Sequence, residues 1–293
     1  MVSIESPYTD NGTWLRGNLH AHSTISDGTR DPELVIQDYA ARGYDFLALS
    51  DHDVFADPAD YQADTNLVLL PAVELSADGP HMLHIGATKA VTYEADRQTA
   101  VDAVLSDDGF AAPAHPNWKG DFNHWPQEEL DRVDGYRGLE IYNGLMYGHP
   151  GARAATDRWD QLLSAGRRIW GYANDDSHRP WDVARGWNMV QVDEVSRAAI
   201  LEALATGRCY ASTGVTVDRI DVEESTITVD APTADVIHFV TDDGVVQRIV
   251  DGPTAQFRVP DHLVHRNDHT YVRAECYGRG TDRAWLQPMF LAD

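Results

Sequence analysis

Histidines and carboxylates crowd the stretch Gly17–Asp53, GNLHAHSTISDGTRDPELVIQDYAARGYDFLALSDHD. His20 and His22 stand one residue apart in an apolar-flanked segment that reads as the end of a strand. Alternate residues of a strand share a face, so the two imidazoles project the same way, about 7 Å apart along the chain. Such a pair can grip one divalent metal at metal–nitrogen distances of about 2.0–2.1 Å. Ser26-Asp27-Gly28 then supplies a turn with a free carboxylate. The elements that position these groups are legible around them. A helix is expected over Pro32–Arg42, with Asp31 as N-cap, Pro32 at the first position and Gly43 as the stop. Phe46–Ser50 reads as a short buried strand delivering Asp51-His52-Asp53 at its C-terminal end. Barrel enzymes place their chemistry at that edge.

The succession His-x-His, Ser-Asp-Gly, Ser-Asp-His resembles the hallmark motifs of the PHP (polymerase and histidinol phosphatase) superfamily. The resemblance implies an α/β fold, a distorted (β/α)7 TIM-like barrel, with a metal site of up to three ions. Leu67–Glu74 reads as another buried strand, and a carboxylate at its end is costly unless paired or metal-bound. In the PHP pattern, the glutamate of Pro71-Ala72-Val73-Glu74 bridges two metals. The strand His81–Ala87 offers two histidines three residues apart, which an extended chain sends to opposite faces. The family's spacing to Gly86 favours His81, with His84 as the alternative.

A helix is expected over Ala100–Ser106, ended by Gly109. Phe110–Pro116 follows as strand and turn, and its Ala-His-Pro matches another family motif, which makes His115 a ligand. Asn117–Trp125 reads as an active-site loop in which His124 is a surface histidine. Gly138–Asn143 resembles a strand of one PHP branch in which Glu140 and Asn143 line the pocket, a structural role for both being the alternative. A helix over Ala152–Ala165 precedes the strand Arg167–Ala173, and Asp176-x-His178 matches the closing motif, with Asp175 as its neighbour. Carried over, the resemblance implies one metal on His20, His22, Glu74 and Asp176. A second would take Glu74, His81 (or His84) and His115, and a third Asp27, His52 and His178. Asp51 or Asp53, flanking His52, would orient it or relay protons. Mixed imidazole and carboxylate ligation without thiolate suits Mn, Zn or Fe. Water shared by two or three such divalent ions is acidified enough to attack an ester near neutral pH.

A helix over Ser196–Thr206 leads into ALATGRCYASTG, which resembles the carbaryl-hydrolase-like branch, as does the terminal AWLQPMF. Beyond Gly214 the texture changes to short alternating runs, Ile220–Val222, Thr226–Val229, Val236–Thr241, Val245–Val250, Ala255–Val259 and Tyr271–Cys276, separated by Asp-Gly turns. These predict a small all-β sandwich-like domain over residues 215–293 behind a barrel of 1–214. His238, His262, His265 and His269 are scattered in it and read as solvated or structural.

Composition bounds the function. The chain of 293 residues carries 47 acidic against 23 basic residues, a net charge of −24. Only two of the basic residues are lysine, and Asp outnumbers Glu by 35 to 12. Such a surface opposes nucleic acid and anionic membranes. It suits a molar-salt cytoplasm, where charge is screened within about 3 Å, so a halophilic source is expected. Cys209 and Cys276 argue against a disulfide scaffold, and no signal peptide or membrane span is visible, which predicts a cytoplasmic protein. The expectation is a metal-dependent hydrolase, foremost a phosphoesterase for a small phosphorylated substrate. Carbamate, ester or amide hydrolysis on the same site is the alternative, and a non-catalytic metal- or carbohydrate-binding protein is the different class.

Overall fold

The computed structural model describes residues 3–9, 11–77, 79–94, 96–120, 122–260, 263 and 271–292. His262, His265 and His269 lie outside the described residues. The chain opens with β1 (Ser3–Glu5), β2 (Thr13–Asn18), α1 (Pro32–Ala40), β3 (Phe46–Leu49), β4 (Val68–Leu75) and β5 (Met82–Ile85). It continues with α2 (Arg97–Leu105), β6 (Phe110–Pro113), α3 (Gln127–Arg132), β7 (Gly138–Asn143), α4 (Thr156–Ser164) and β8 (Trp170–Asn174). β9 (Trp187–Val192), α5 (Arg197–Thr206) and β10 (Cys209–Ser212) follow. The remainder is built from strands: β11 (Arg219–Glu223), β12 (Thr226–Asp230), β13 (Val236–Thr241), β14 (Val245–Asp251), β15 (Thr254–Arg258), β16 (Tyr271–Tyr277), β17 (Arg283–Leu286) and β18 (Met289–Ala292).

Local chemistry sets these elements. Pro32 at the start of α1 needs no amide partner there, and Val35, Ile36 and Tyr39 form its buried face. Ser196 caps α5 by accepting from the Ala199 amide, and Gly207, at φ +78°, ends it in the left-handed conformation that glycine adopts freely. β3 is buried along its whole length, as a strand covered on both faces must be.

The distorted (β/α)7 barrel implied by the resemblance is not confirmed, for helices are few among the described residues and strict strand–helix alternation is absent there. Between the strands of the described residues, parallel pairing joins β2–β3–β4 and β7–β8. β4–β5–β6 and β2–β9 pair antiparallel. The reason lies in the length of the connection: six residues separate β4 from β5, too few for a crossover helix, so β5 must run back along β4. The strands form one large sheet in the order β1-β18-β16-β17-β10-β9-β2-β3-β4-β5-β6, with β7–β8 as a separate pair. Leu19, Phe46, Leu70, Leu83, Tyr172 and Val190 fill the space these strands enclose.

β10 pairs with β17, so the sheet runs on into the C-terminal strands, and β1 pairs with β18. A second layer of β11, β12 and β15 packs on them through Ile227, Phe257, Phe239 and Val272. Arg273 of β16 is buried and grips Asp160 of α4 in a bidentate pair, at 2.8 and 2.7 Å, with its third nitrogen on Glu275 at 2.6 Å. Among the described residues no helix is long and apolar enough to cross a membrane.

Candidate metal centre

The site forms where chain segments leave the strand ends side by side. The amide of His22 donates to the Ser177 carbonyl and that of Asp176 to His20, so the His-x-His and Asp-x-His segments run alongside each other. His52 bridges Glu74 in parallel register just past β3, and the Ala114 amide reaches the His81 carbonyl beyond β6. Six chain segments, far apart in sequence, therefore deliver their side chains to one point. Two of the residues concerned, His115 (φ 28°) and Asp176 (φ 53°), have positive φ, a conformation that costs a non-glycine residue energy and clusters at functional sites.

Glu74 is the hub. Its Oε2 lies 3.1 Å from His20 Nε2, 3.2 Å from His22 Nε2 and 3.1 Å from His52 Nδ1. Its Oε1 lies 3.1 Å from His81 Nδ1 and 3.2 Å from His115 Nε2. Asp176 Oδ1 stands 3.3 and 3.2 Å from the same His20 and His22 nitrogens. On the outer side, Asp27 Oδ2 meets His178 Nε2 at 3.2 Å, and Asp27 Oδ1 stands 3.7 Å from His52 Nε2. Nε2 of His20 and of His22, Nδ1 of His52 and Oε2 of Glu74 are buried without a hydrogen-bond partner. Ligand atoms on one metal at about 2.0–2.1 Å are separated by roughly the spacings seen here, so the orphaned atoms fit shared cations. Three groups of side chains could hold them, His20–His22–Asp176, His52–Glu74–His81 and His22–Asp27–His52–His178.

Electrostatics agrees. Burial alone would raise the Glu74 and Asp176 carboxyls, yet the surrounding histidines hold both well below the ordinary carboxylate range. Asp27, desolvated but bonded to His178, sits at about 2. Burial lowers His52. It opposes the rise of His22, which its bonds to Asp176 and Glu74 lift to about 9. Metal binding needs the carboxylates ionised and the imidazoles neutral, so a cation bound here would take the place of the protons that the raised His20 and His22 otherwise hold.

Glu140 lies behind the cluster. It accepts from His20 Nδ1 at 3.0 Å, the His115 amide at 2.6 Å, Asn143 Nδ2 at 2.9 Å and Asn174 Nδ2 at 2.9 Å. Its bond to Nδ1 leaves His20 Nε2 as the lone-pair nitrogen facing Glu74, the usual carboxylate–histidine arrangement at metal sites. Asn143 also donates to Asp176 Oδ2 at 3.1 Å. Asp51 is buried and turned away from the cluster: it accepts from the amides and hydroxyls of Ser23 and Ser26, fixing the loop that carries Asp27. Gly28 closes that loop, because a Cβ there would stand 2.6 Å from the His22 carbonyl oxygen. Asp53 binds Ser76 and Tyr93. Asp175 accepts from three amides of residues 184–186 and from Tyr39, and burial raises it to about 6.

The register of β4 and β5 separates the two candidate histidines. His84 pairs with Val73 and Leu83 with Glu74, so His84 is on the face opposite Glu74 and donates to the Asp108 carbonyl at 2.7 Å. His81, in phase with Leu83, reaches the cluster. His124 does not lie on the surface as expected. It is 4% exposed and packs with its ring 4.7 Å from those of His81 and His115, forming a further group of possible ligands with them. Burial, then the charges of His115 and His81, push it down to about 3. The aromatic spacing Trp118, Phe122, Trp125 around it was the available signal. Trp125 anchors the loop by donating to the His81 carbonyl at 2.8 Å.

A cavity of about 240 Å³ opens over the cluster, walled on one side by Trp118, Phe122, His124 and Leu145. A larger concavity of about 700 Å³ beside α1 contains no histidine.

The chain matches no family model and no curated protein. Its fold has a solved counterpart. A two-domain protein from Bacteroides vulgatus, described as containing a predicted PHP-like metal-dependent phosphoesterase, superposes with TM-score 0.56 at 19% identity, over 99% of this chain and 90% of that one. The two share a fold. A lesion-specific endonuclease from Pyrococcus furiosus (TM-score 0.47, 16% identity, 66% of this chain and 56% of the other) aligns over less of the molecule. So does an amidohydrolase from Chromobacterium violaceum (TM-score 0.45, 18% identity, 56% and 88%).

Proposed function

We propose that the chain is a metal-dependent hydrolase of the PHP superfamily, foremost a phosphoesterase acting on a small phosphorylated molecule. The observation that carries this reading is the convergence of five imidazoles on the two oxygens of Glu74, with buried nitrogens and a carboxylate oxygen left without hydrogen-bond partners. We assign two or three divalent ions, Mn, Zn or Fe, to ligand sets His20–His22–Glu74–Asp176, Glu74–His81–His115 and Asp27–His52–His178. When bound, such ions lower the pKa of water and neutralise charge developing on phosphoryl oxygens.

The chain's own residues do the rest. Glu140 fixes the tautomer of His20 and the turn of His115, Asp51 holds the Asp27 loop, and Asp53 ties Ser76 to the strand end. All three act as positioning groups rather than on substrate. The net charge of −24 favours a small substrate over nucleic acid. The fold likeness to a protein described as containing a phosphoesterase supports the reaction class.

Hydrolysis of a carbamate, ester or amide is the second reading. It is favoured by the lining of the cavity, which among the described residues includes no Lys or Arg to meet a phosphate dianion. Protein reconstituted with Mn or Zn and assayed on phosphomonoesters, phosphodiesters and aryl carbamates separates the two. Turnover of phosphate esters is expected. Turnover of carbamates or carboxylic esters alone selects the second reading, and no turnover of any class defeats the enzyme.

A further inference from the structure

His124 is the one histidine of the cavity that the ligand sets above do not use. Three bonds lock its segment. Arg97 grips the His124 carbonyl through Nε and an Nη at 3.2 and 2.7 Å, and the His124 amide donates to Trp118 at 3.3 Å. Phe122 lies parallel to the imidazole, 4.4 Å away and tilted by 9°. The ring is therefore held in one plane within the wall of the cavity.

Two roles are open to a histidine placed there, and one hydrogen bond decides between them. The backbone amide of His81 donates to His124 Nδ1 at 3.3 Å. A histidine that ligates a metal through one nitrogen normally carries its proton on the other and donates it. Here Nδ1 is the acceptor, so the ring proton resides on Nε2. A protonated nitrogen cannot ligate a metal, but it can donate to an oxygen. No described residue accepts a hydrogen bond from Nε2, and His124 lines the cavity beside His81 and His115. We propose that His124 is a substrate-contacting donor, presenting Nε2–H to an oxygen of the scissile group held beside His81 and His115. This deepens the hydrolase reading and rests on it. It also supplies a fixed donor in a cavity without Lys or Arg, aimed where charge develops as the substrate reacts.

The test uses the full chain reconstituted with Mn or Zn, alongside His124→Phe, which keeps the stacking on Phe122, and His124→Gln, which keeps an N–H donor. Three quantities are read: metal content, affinity for inorganic phosphate, and the ring tautomer from long-range proton–nitrogen NMR of histidine-labelled protein, with the His124 signals assigned by their loss in the variants. The expected result is the Nε2–H tautomer, unchanged metal content in both variants, and phosphate binding weakened roughly 10- to 100-fold in His124→Phe, with partial recovery in His124→Gln. Loss of a metal equivalent in both variants would make His124 a ligand and overturn the proposal. So would the Nδ1–H tautomer, or equal phosphate affinity in wild type and His124→Phe, including none in either. If these three readouts come out as expected while wild type turns over no ester, the hydrolase reading fails and the donor assignment stands.

Discussion

Replacing Glu140 by glutamine removes one charge and changes almost no volume, yet the surroundings of Glu140 make it a severe substitution. The carboxylate accepts four hydrogen bonds and donates none. Glutamine has one acceptor oxygen. If its amide nitrogen takes the Oε2 position, it faces the His115 amide and Asn143 Nδ2, both donors. In the other orientation it faces Asn174 Nδ2 and His20 Nδ1, and forces the His20 proton onto Nε2. The two asparagines cannot flip to compensate. Asn143 Oδ1 already accepts from the Met146 amide, and Asn174 Oδ1 from the Leu19 amide and Asn188. The first orientation loses two buried bonds to a charged acceptor, and the second loses the Asn174 bond and reverses that of His20, at about 1.5–3 kcal/mol for each bond lost. The variant is expected to lose about 1.5–6 kcal/mol in urea unfolding of the metal-free protein, and metal affinity by roughly 10- to 100-fold in a chelator competition. Unfolding within about 1 kcal/mol of wild type together with unchanged metal affinity would refute the reasoning.

His81→Ala should abolish hydrolysis while His84→Ala, whose partner is the Asp108 carbonyl, should act through stability alone; steady-state rates on the metal-loaded variants decide, and the reverse order would place the ligand on the other face of β5. Arg273→Met strands the buried Asp160 and should cost about 3–5 kcal/mol in denaturant unfolding. Arg273 also pairs with Glu275, and that pair has a pH signature. Burial opposes it, but Arg273 holds the Glu275 carboxyl below its ordinary 4.5, so its stabilisation is complete above that pH and is lost as the pH falls through the folded value. Wild type should therefore show a steeper acid limb than Arg273→Met. The −24 charge predicts a melting temperature that rises between about 0.1 M and 3 M salt; an unchanged value would leave the acidic surface without a halophilic explanation.

Much of the site could be read from the sequence because its motifs are local. His-x-His, Ser-Asp-Gly and Asp-x-His each bring their groups together within a few residues, and a strand end needs no tertiary information to aim them. Strand phase likewise separates His81 from His84 once β5 is known to be extended. What escaped depends on partners distant in the chain. The burial of His124 comes from Arg97 and the aromatic loop folding over β5, and the four-fold role of Glu140 needs Asn143, Asn174 and the turned backbone of His115. The distorted (β/α)7 barrel is not confirmed, and the departure from strand–helix alternation is plain at β4 and β5, which six residues join and which pair antiparallel. The strand runs beyond Gly214 matched β11 to β16 closely, since alternation marks half-buried strands. That β10 pairs with β17, joining those strands to the first sheet, is a long-range register no local pattern encodes.

The central claim is that Glu74 is a carboxylate shared between cations. Elemental analysis of wild type and Glu74→Gln, each reconstituted with Mn or Zn and freed of loose metal, tests it most directly. Two or three equivalents per chain are expected in wild type, with at least one lost in the variant, because a neutral amide cannot compensate two neighbouring cations. One equivalent or fewer in wild type, or full occupancy in Glu74→Gln, would contradict the account.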